Sequence, residues 1–331
     1  MKSENNNKSQ IILGIIIFIL IIICAIFTSN NDENTNNVYS NINIDKSKLN
    51  IFYFNVGQAD SSLIVYEGKT ILIDAGNDSD GEEILNFINA QGIEQIDYLI
   101  GTHIHEDHIG GMADIINNMP IGQIFMPANK SIEDEFYDKV LSSIENNKLG
   151  IASIKENDIF SLGKEITFEV LHVDNNEPSE RNNASIVIEL TYGKQQYLFM
   201  GDSEKAVEDK LLKSKSLEDI DVLKVGHHGS NTSTTEQFVD KVLPEISIIS
   251  VQEGRYEDFP NEDIIKRLES KNSLVYRTDI DGTIWLTSDG ITNNITTIKE
   301  LNLNGANKVG LVRTYFNSMF FLIFIINNTI N

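Results

Sequence analysis

The sequence predicts an α/β domain of two sheets with helices packed outside them, behind an N-terminal membrane-spanning segment. Three observations predict it. Strand-like runs come in groups, with helical stretches between the groups, which suits two sheets with outer helices. One run ends in Thr102-His103-Ile104-His105-Glu106-Asp107-His108-Ile109-Gly110-Gly111, so a loop at a strand's C-terminal end concentrates titratable groups. Residues 11–28 are almost all Ile, Leu and Phe and carry no charge.

The 331 residues allow one large or two medium domains, and 41% hydrophobic content is ordinary for a packed core. The single cysteine, Cys24, excludes an intrachain disulfide and a Cys-based zinc site. A net charge of −23 opposes unguided attraction to DNA, RNA or anionic lipid. Lys205, Lys210, Lys213, Lys215 and Lys224 form a modest basic cluster. Glu204, Glu208 and Asp209 dilute it, and it reads as a solvated helix face.

Residues 1–10 are polar and include Lys2 and Lys8. Residues 11–28 are about long enough to span a bilayer, with lysines before them and Asp32-Glu33 after. The positive-inside rule puts residues 1–10 in the cytoplasm and the rest outside, on an uncleaved single-pass anchor in the lipid bilayer. A secreted, cleaved form is the alternative. Residues 29–48, rich in Asn and without periodicity, read as a flexible linker. The folded domain is expected over 49–300, with an apolar tail of unknown role over 301–331.

Ile51 to Val56 reads as a strand, and Ser62 to Tyr66 with Thr70 to Ile73 as a hairpin about Glu67-Gly68-Lys69. Glu82 to Gln91 places Ile84, Leu85 and Ile88 on one helical face. Gln95 to Gly101 is the strand entering the histidine loop, and Met112 to Met119 the helix leaving it. A strand at Gln123 to Met126 and a helix from Ile132 to Asn147 follow, then strands at Ile151 to Ile154 and Ile166 to Leu171. Ser185 to Leu190 and Gln196 to Met200 form a second hairpin, leading into Gly201-Asp202. Ser203 to Lys213 is a helix with Ser203 as its N-cap. Asp221 to Val225 is a short strand running into Gly226-His227-His228-Gly229-Ser230. Helices at Glu236 to Leu243 and Asn261 to Ser270 alternate with strands at Ile246 to Val251 and Leu274 to Arg277. Thr283 to Thr287 and Ile291 to Thr297 close the domain.

The chain has six histidines. Three lie in the 102–111 loop, two are adjacent at His227 and His228, and His172 stands apart. The i, i+2 spacing of His103 and His105 aims both rings to one side, and Asp107 and His108 address a neighbouring position. One loop could thus hold two metal ions roughly 3.5–4 Å apart. Neutral imidazole and carboxylate are ligands for zinc-like ions. Two such cations lower the pKa of a shared water and stabilise a developing oxyanion. His227 or His228 could protonate a leaving group, and Ser230 with the Gly229 amide could hold a substrate oxygen.

Six segments then carry a resemblance. They are Asn55-Val56-Gly57-Gln58-Ala59-Asp60, Leu72-Ile73-Asp74-Ala75-Gly76, Thr102 to Gly111, Asn182-Asn183-Ala184-Ser185, Phe199-Met200-Gly201-Asp202 and Val225-Gly226-His227-His228-Gly229-Ser230. Together they resemble the metallo-β-lactamase fold, and in order and spacing the C-terminal hydrolase domain of ComEC-type DNA-uptake proteins, from about Ile51 to Thr297. The resemblance implies an αββα sandwich of two mixed sheets holding two divalent ions, Zn²⁺ or Mn²⁺. It implies first-metal ligands at His103 and His105, second-metal ligands at Asp107 and His108, and a bridging carboxylate at Asp202. It implies a ligand-orienting acid at Asp74 and a late histidine at His227 that serves as a metal ligand at the second site or acts at the leaving group, a role His228 could share. Asn183 falls where other members carry a further ligand histidine. The multi-spanning channel of those relatives has no counterpart, so a stand-alone relative on one anchor is expected. One segment departs from the pattern. Relatives carry Asn-x-Tyr-x-His-Pro, whereas here Arg255-Tyr256-Glu257-Asp258-Phe259-Pro260 puts Phe259 in the histidine's place. A water or Asp258 could substitute, or the second site could be weak.

Three functions follow. The first is an extracellular, metal-dependent hydrolase acting on phosphodiesters, DNA among them. The second is a phosphodiesterase acting on cell-wall or teichoic-acid esters. The third is a metal-bearing, non-catalytic module in DNA uptake.

Overall fold

The computed structural model describes residues 39, 42–127, 134–175, 181–213, 217, 219–252, 254–256, 258–299 and 313–315. The expected cytoplasmic segment 1–10, the anchor at 11–28 and most of the linker and tail lie outside the described residues. Among the described residues no helix is long and apolar enough to cross a membrane. The chain divides into two units, 1–43 with 86–92, and 44–85 with 93–331. The second carries the site.

In chain order the strands are β1 (Leu49–Tyr53), β2 (Ser62–Tyr66), β3 (Lys69–Ile73), β4 (Ile96–Ile100), β5 (Ile121–Phe125), β6 (Ile151–Ala152), β7 (Ile159–Leu162), β8 (Ile166–His172), β9 (Val187–Tyr192), β10 (Gln195–Phe199), β11 (Val222–Lys224), β12 (Ile246–Ile249), β13 (Leu274–Arg277), β14 (Thr283–Ser288), β15 (Asn293–Ile298) and β16 (Arg313–Tyr315). The helices are α1 (Gly81–Ala90), α2 (Glu106–Ile109), α3 (Met112–Asn118), α4 (Glu135–Asn146), α5 (Lys205–Leu211), α6 (Glu236–Val242), α7 (Glu262–Ser270) and α8 (Thr278–Asp281). Among the described residues one mixed sheet has nine strands in the order β16-β15-β14-β1-β2-β3-β4-β5-β6, and the other seven in the order β13-β12-β11-β10-β9-β8-β7.

Alternation along the strands explains why the two sheets face one another. Leu49, Ile51 and Tyr53 of β1 and Ile284 and Leu286 of β14 share one buried cluster with Ile188, Leu190 and Tyr192 of β9 and Tyr197 and Phe199 of β10. The intervening residues Val187, Leu198 and Leu223 point the other way. There they meet Val207 and Leu211 of α5, Phe238, Val239 and Val242 of α6, and Ile264 and Leu268 of α7. The expected sandwich, two mixed sheets with helices outside, is what this packing builds.

Several local expectations are corrected. The α5 helix begins at Lys205 after Glu204, not after a Ser203 cap, and the buried Ser203 hydroxyl makes no hydrogen bond among the described residues. The basic cluster is not one solvated face. Lys224 is a buried strand residue. Glu208 is buried and accepts from the Thr234 and Thr235 amides, the latter at 2.9 Å. Strand β7 had no clear signal, because Ile159 is 64% exposed on an edge and the alternation is broken. Part of the tail joins the fold, since β16 pairs antiparallel with β15.

The Tyr53 hydroxyl is fully buried in the inter-sheet core without a hydrogen-bond partner among the described residues. Tyr53→Phe is therefore expected to leave stability unchanged or raise it by about 1 kcal/mol. Leu286→Ala in the same core should cost about 2–5 kcal/mol. Urea unfolding followed by circular dichroism separates the two.

Candidate metal centre

The parallel strands of both sheets end at one place. β3 runs parallel to β4, and β10 to β11, and the turns after all four supply the charged groups. Asp74 leaves β3 with φ 58° and organises the histidine loop. Its carboxylate accepts from the Thr102 amide, the Thr102 hydroxyl and His108 Nδ1, each at 2.8 Å. The loop's exit is pinned by close backbone approach. A Cβ at Gly111 would fall 2.3 Å from the Ala75 carbonyl oxygen, and one at Gly110 2.3 Å from the Asp78 amide, so neither glycine can carry a side chain.

With Nδ1 donating to Asp74, His108 presents Nε2 inward, 3.2 Å from Asp202 Oδ1. His228 behaves alike. Its Nδ1 donates to the Ser250 carbonyl at 3.0 Å, and its Nε2 lies 3.2 Å from Asp107 Oδ2 and 3.6 Å from Asp202 Oδ1. Asp107, His108, Asp202 and His228 thus form one ligand group. His103, His105 and Asp202 form a second, with His103 Nε2 and His105 Nδ1 3.0 Å apart and His103 Nε2 3.7 Å from Asp202 Oδ2. One carboxylate belongs to both groups.

The donor set fits a pair of divalent cations. His108 Nε2, His228 Nε2 and Asp202 Oδ1 are buried, converge on one point and make no hydrogen bond among the described residues. Such atoms are costly unless something else satisfies them. Nitrogen and carboxylate oxygen are what zinc-like ions prefer.

The other sequence-predicted residues are placed as follows. His227 is outside the ligand groups, partly exposed, with Nε2 3.8 Å from Asp202 Oδ2 and Nδ1 3.0 Å from Thr232 Oγ1. His227 and His228 both have left-handed backbone, φ 48° and 51°, which splays their rings apart. Asn183 turns its amide oxygen to the Glu204 amide at 3.2 Å. The Ser230 hydroxyl bonds that of Thr232 at 3.1 Å. Phe259 packs edge-on to His227 at 5.6 Å and Tyr256 against Phe259 at 6.0 Å, while Asp258 is exposed and in no ligand group. A cavity of about 380 Å³ beside Asp107 is lined by Gln58, Asn77, Glu106, Gln252, Arg255 and Tyr256 among others.

Sequence reasoning missed two residues. Asp60 and Lys224 are buried together, with Lys224 Nζ 2.7 Å from Asp60 Oδ2. The signal was a lone charge inside the apolar run Val222-Leu223-Lys224-Val225.

Burial opposes charge on every group here, yet mutual attraction wins at most of them. His228 is penalised by desolvation, but Asp202, Asp60 and Asp107 lift its pKa to about 10. His108 is likewise desolvated and raised well above the usual value by Asp202, Asp74 and Asp107. Asp107 is held down at about 2, its burial outweighed by His108 and His228. His103 is pushed well below the usual value, first by burial and then by the charge of His108.

An αββα sandwich with two ligand groups sharing a carboxylate at its strand ends is the architecture of a dinuclear metal domain. The sequence matches the metallo-beta-lactamase superfamily over residues 54–253, and the chain belongs to it. It is 30% identical over 247 residues to ComE operon protein 3 of Bacillus subtilis, covering 69% of this chain and 32% of that protein. It is 30% identical over 234 residues to Recombination protein 2 of Haemophilus influenzae, covering 69% of this chain and 27% of that protein. The match spans about a third of the length of these relatives, and the resemblance to competence proteins is borne out. The metallo-beta-lactamase fold protein YhfI from Bacillus subtilis superposes with TM-score 0.51 at 10% identity, covering 73% of this chain and 100% of that one, a likeness of fold alone.

Raised histidine pKa values link metal binding to pH. With its pKa lifted to about 10, His228 is charged at neutral pH in the metal-free protein; His108 is shifted in the same direction, and a cation must displace the protons they hold. Binding at pH 7 should therefore release protons, and affinity should rise with pH toward about 10. The sign for stability is opposite. The His228 imidazole stabilises the metal-free fold fully below about 6.5, an effect lost as pH rises through about 10. Calorimetry in buffers of different ionisation enthalpy counts the protons, and zero release would contradict the assignment.

Proposed function

We propose that the domain is a dinuclear metal-dependent phosphodiesterase that cleaves DNA strands outside the cell, held to the membrane by residues 11–28. The observation that carries this reading is the sharing of Asp202 between two ligand groups. The likeness to competence proteins supports the substrate, and the lysines before residues 11–28 support the orientation. Divalent ions, Zn²⁺ or Mn²⁺, held there supply an acidic environment for water and positive charge for the reacting phosphoryl group.

The chain's own residues divide the remaining tasks. His103, His105, Asp107, His108, Asp202 and His228 are the ligands. Asp74 orients His108 through Nδ1, which fixes the tautomer and leaves Nε2 bare. His227 is exposed enough to meet substrate, near enough to Asp202 to reach the reacting group, and outside the ligand groups, which suits a proton donor to the leaving oxygen. Ser230 and Asn183, both engaged in local hydrogen bonds, shape the loops that frame the centre.

A second reading has its own support. Among the described residues Arg255 is the one basic side chain lining the cavity beside Asp107. Cell-wall or teichoic-acid diesters, which need no basic groove, suit such a surface.

The full chain in detergent with Mn²⁺ or Zn²⁺ is expected to hydrolyse bis-p-nitrophenyl phosphate and single-stranded DNA. Hydrolysis of the small diester and a choline phosphodiester but not of DNA would favour the second reading, and two bound ions without any turnover a binding module. Asp202→Ala should lose both ions and all activity.

His227→Ala tests the division of labour. It should keep two bound ions and lose about 10²–10⁴-fold on DNA, whose alkoxide leaving group needs a proton. It should lose far less on bis-p-nitrophenyl phosphate, whose leaving group does not. Equal losses on both would remove His227 from the donor role.

A further inference from the structure

Behind the second ligand group lies a buried ion pair that the hydrolytic reading leaves unused. Lys224 is 2% exposed at the end of β11, and its ammonium bonds Asp60 Oδ2 at 2.7 Å and the Val225 carbonyl at 3.3 Å. Asp60 is 4% exposed and fixed by its backbone, with its amide donating to the Asp107 carbonyl and its carbonyl accepting from the Gly76 amide. Its other oxygen, Oδ1, makes no hydrogen bond among the described residues and lies 3.4 Å from His228 Nδ1.

This arrangement parallels the one at His108. There Asp74 accepts from Nδ1 and directs Nε2 to Asp202. Asp60 flanks His228 on the same ring nitrogen through a longer, 3.4 Å charge contact, while the Ser250 carbonyl takes the Nδ1 proton at 3.0 Å. The two acids differ in their support. Asp74 is held by the Thr102 amide and hydroxyl, whereas Asp60 has a lysine contributed by the other sheet. A buried ion pair is a poor way to gain stability, since desolvation offsets most of the attraction. Its retention beside a ligand needs another reason, and the geometry supplies one.

We infer that Lys224 and Asp60 are positioning residues for the second metal position. Lys224 aims Asp60, and Asp60 holds the His228 ring so that Nε2 meets Asp107, His108 and Asp202. The pair thereby sets how tightly the second ion is held, while His103 and His105 hold the first independently of it. The inference rests on the dinuclear reading and adds that its two halves are separately tuned.

The test uses the full chain with Co²⁺ as the probe, read by calorimetry and visible absorption rather than by turnover. Lys224→Met leaves a carboxylate buried without its partner and can fail to fold for that reason alone. The decisive protein is therefore the double variant Asp60→Leu with Lys224→Met, in which apolar groups of similar size replace the pair at little cost to the fold. It should bind the first ion as the wild type does and the second about 10–100-fold more weakly. Wild-type affinity for both ions in the double variant would overturn the inference, making the pair purely structural. Equal loss of both ions would overturn it too. A wild-type chain that binds no Co²⁺ would instead remove the dinuclear reading beneath it.

Discussion

Concentrated negative charge in a space shielded from water is the constraint on which this structure turns. Asp60, Asp74 and Asp202 are almost fully buried, and Asp107 completes the group. Carboxylates so placed repel one another strongly, because the local dielectric is low. They persist only where cations meet them. Lys224 supplies one positive charge, and the imidazoles of His108 and His228, both raised in pKa, supply charge that depends on pH. Divalent ions held by these side chains would displace those protons and take over the task. The same electrostatics therefore holds the loops together and selects what fills the centre.

The sandwich makes this charge cluster possible by dividing it between sheets. Asp60, Asp74 and the histidine loop belong to connections of the nine-stranded sheet, whereas Lys224 ends a strand of the seven-stranded one and Asp202 and His228 lie just beyond its strands. The apolar cluster between the sheets fixes their spacing. Backbone bonds carry that spacing to the loops, as where the Ile186 amide donates to the Thr102 carbonyl and the His227 amide to the Gly201 carbonyl.

Much of this was legible in the sequence, for reasons that can be stated residue by residue. The histidine loop stood out because ligands for both positions come from one short segment, where spacing alone implies convergence. Strands such as β1 and β9 were legible because burial on one face imposes alternation. Edge strand β7 was not, since its exposed Ile159 reports no buried face. The choice between His227 and His228 was hidden as well. It depends on two consecutive left-handed residues, a backbone state that neither histidine announces. Asp60 had no role of its own in the sequence, because its partner Lys224 is 164 positions away and only the fold joins them.

The departure at position 259 acquires a definite meaning once the ligand groups are assigned. If a histidine there were needed to complete the second position, its replacement by phenylalanine would leave that position short of donors. Instead the second position already draws two imidazoles, His108 and His228, and two carboxylates, Asp107 and Asp202. Phe259 meets the centre through His227, edge to face, and packs partly against the cluster formed with α5, α6 and α7. An aromatic edge against an imidazole restricts the ring's orientation and shields one side of it from water. The substitution therefore bears on the partly exposed His227 and not on either ligand group. A chain with phenylalanine at this position keeps both ligand groups and changes the surroundings of His227.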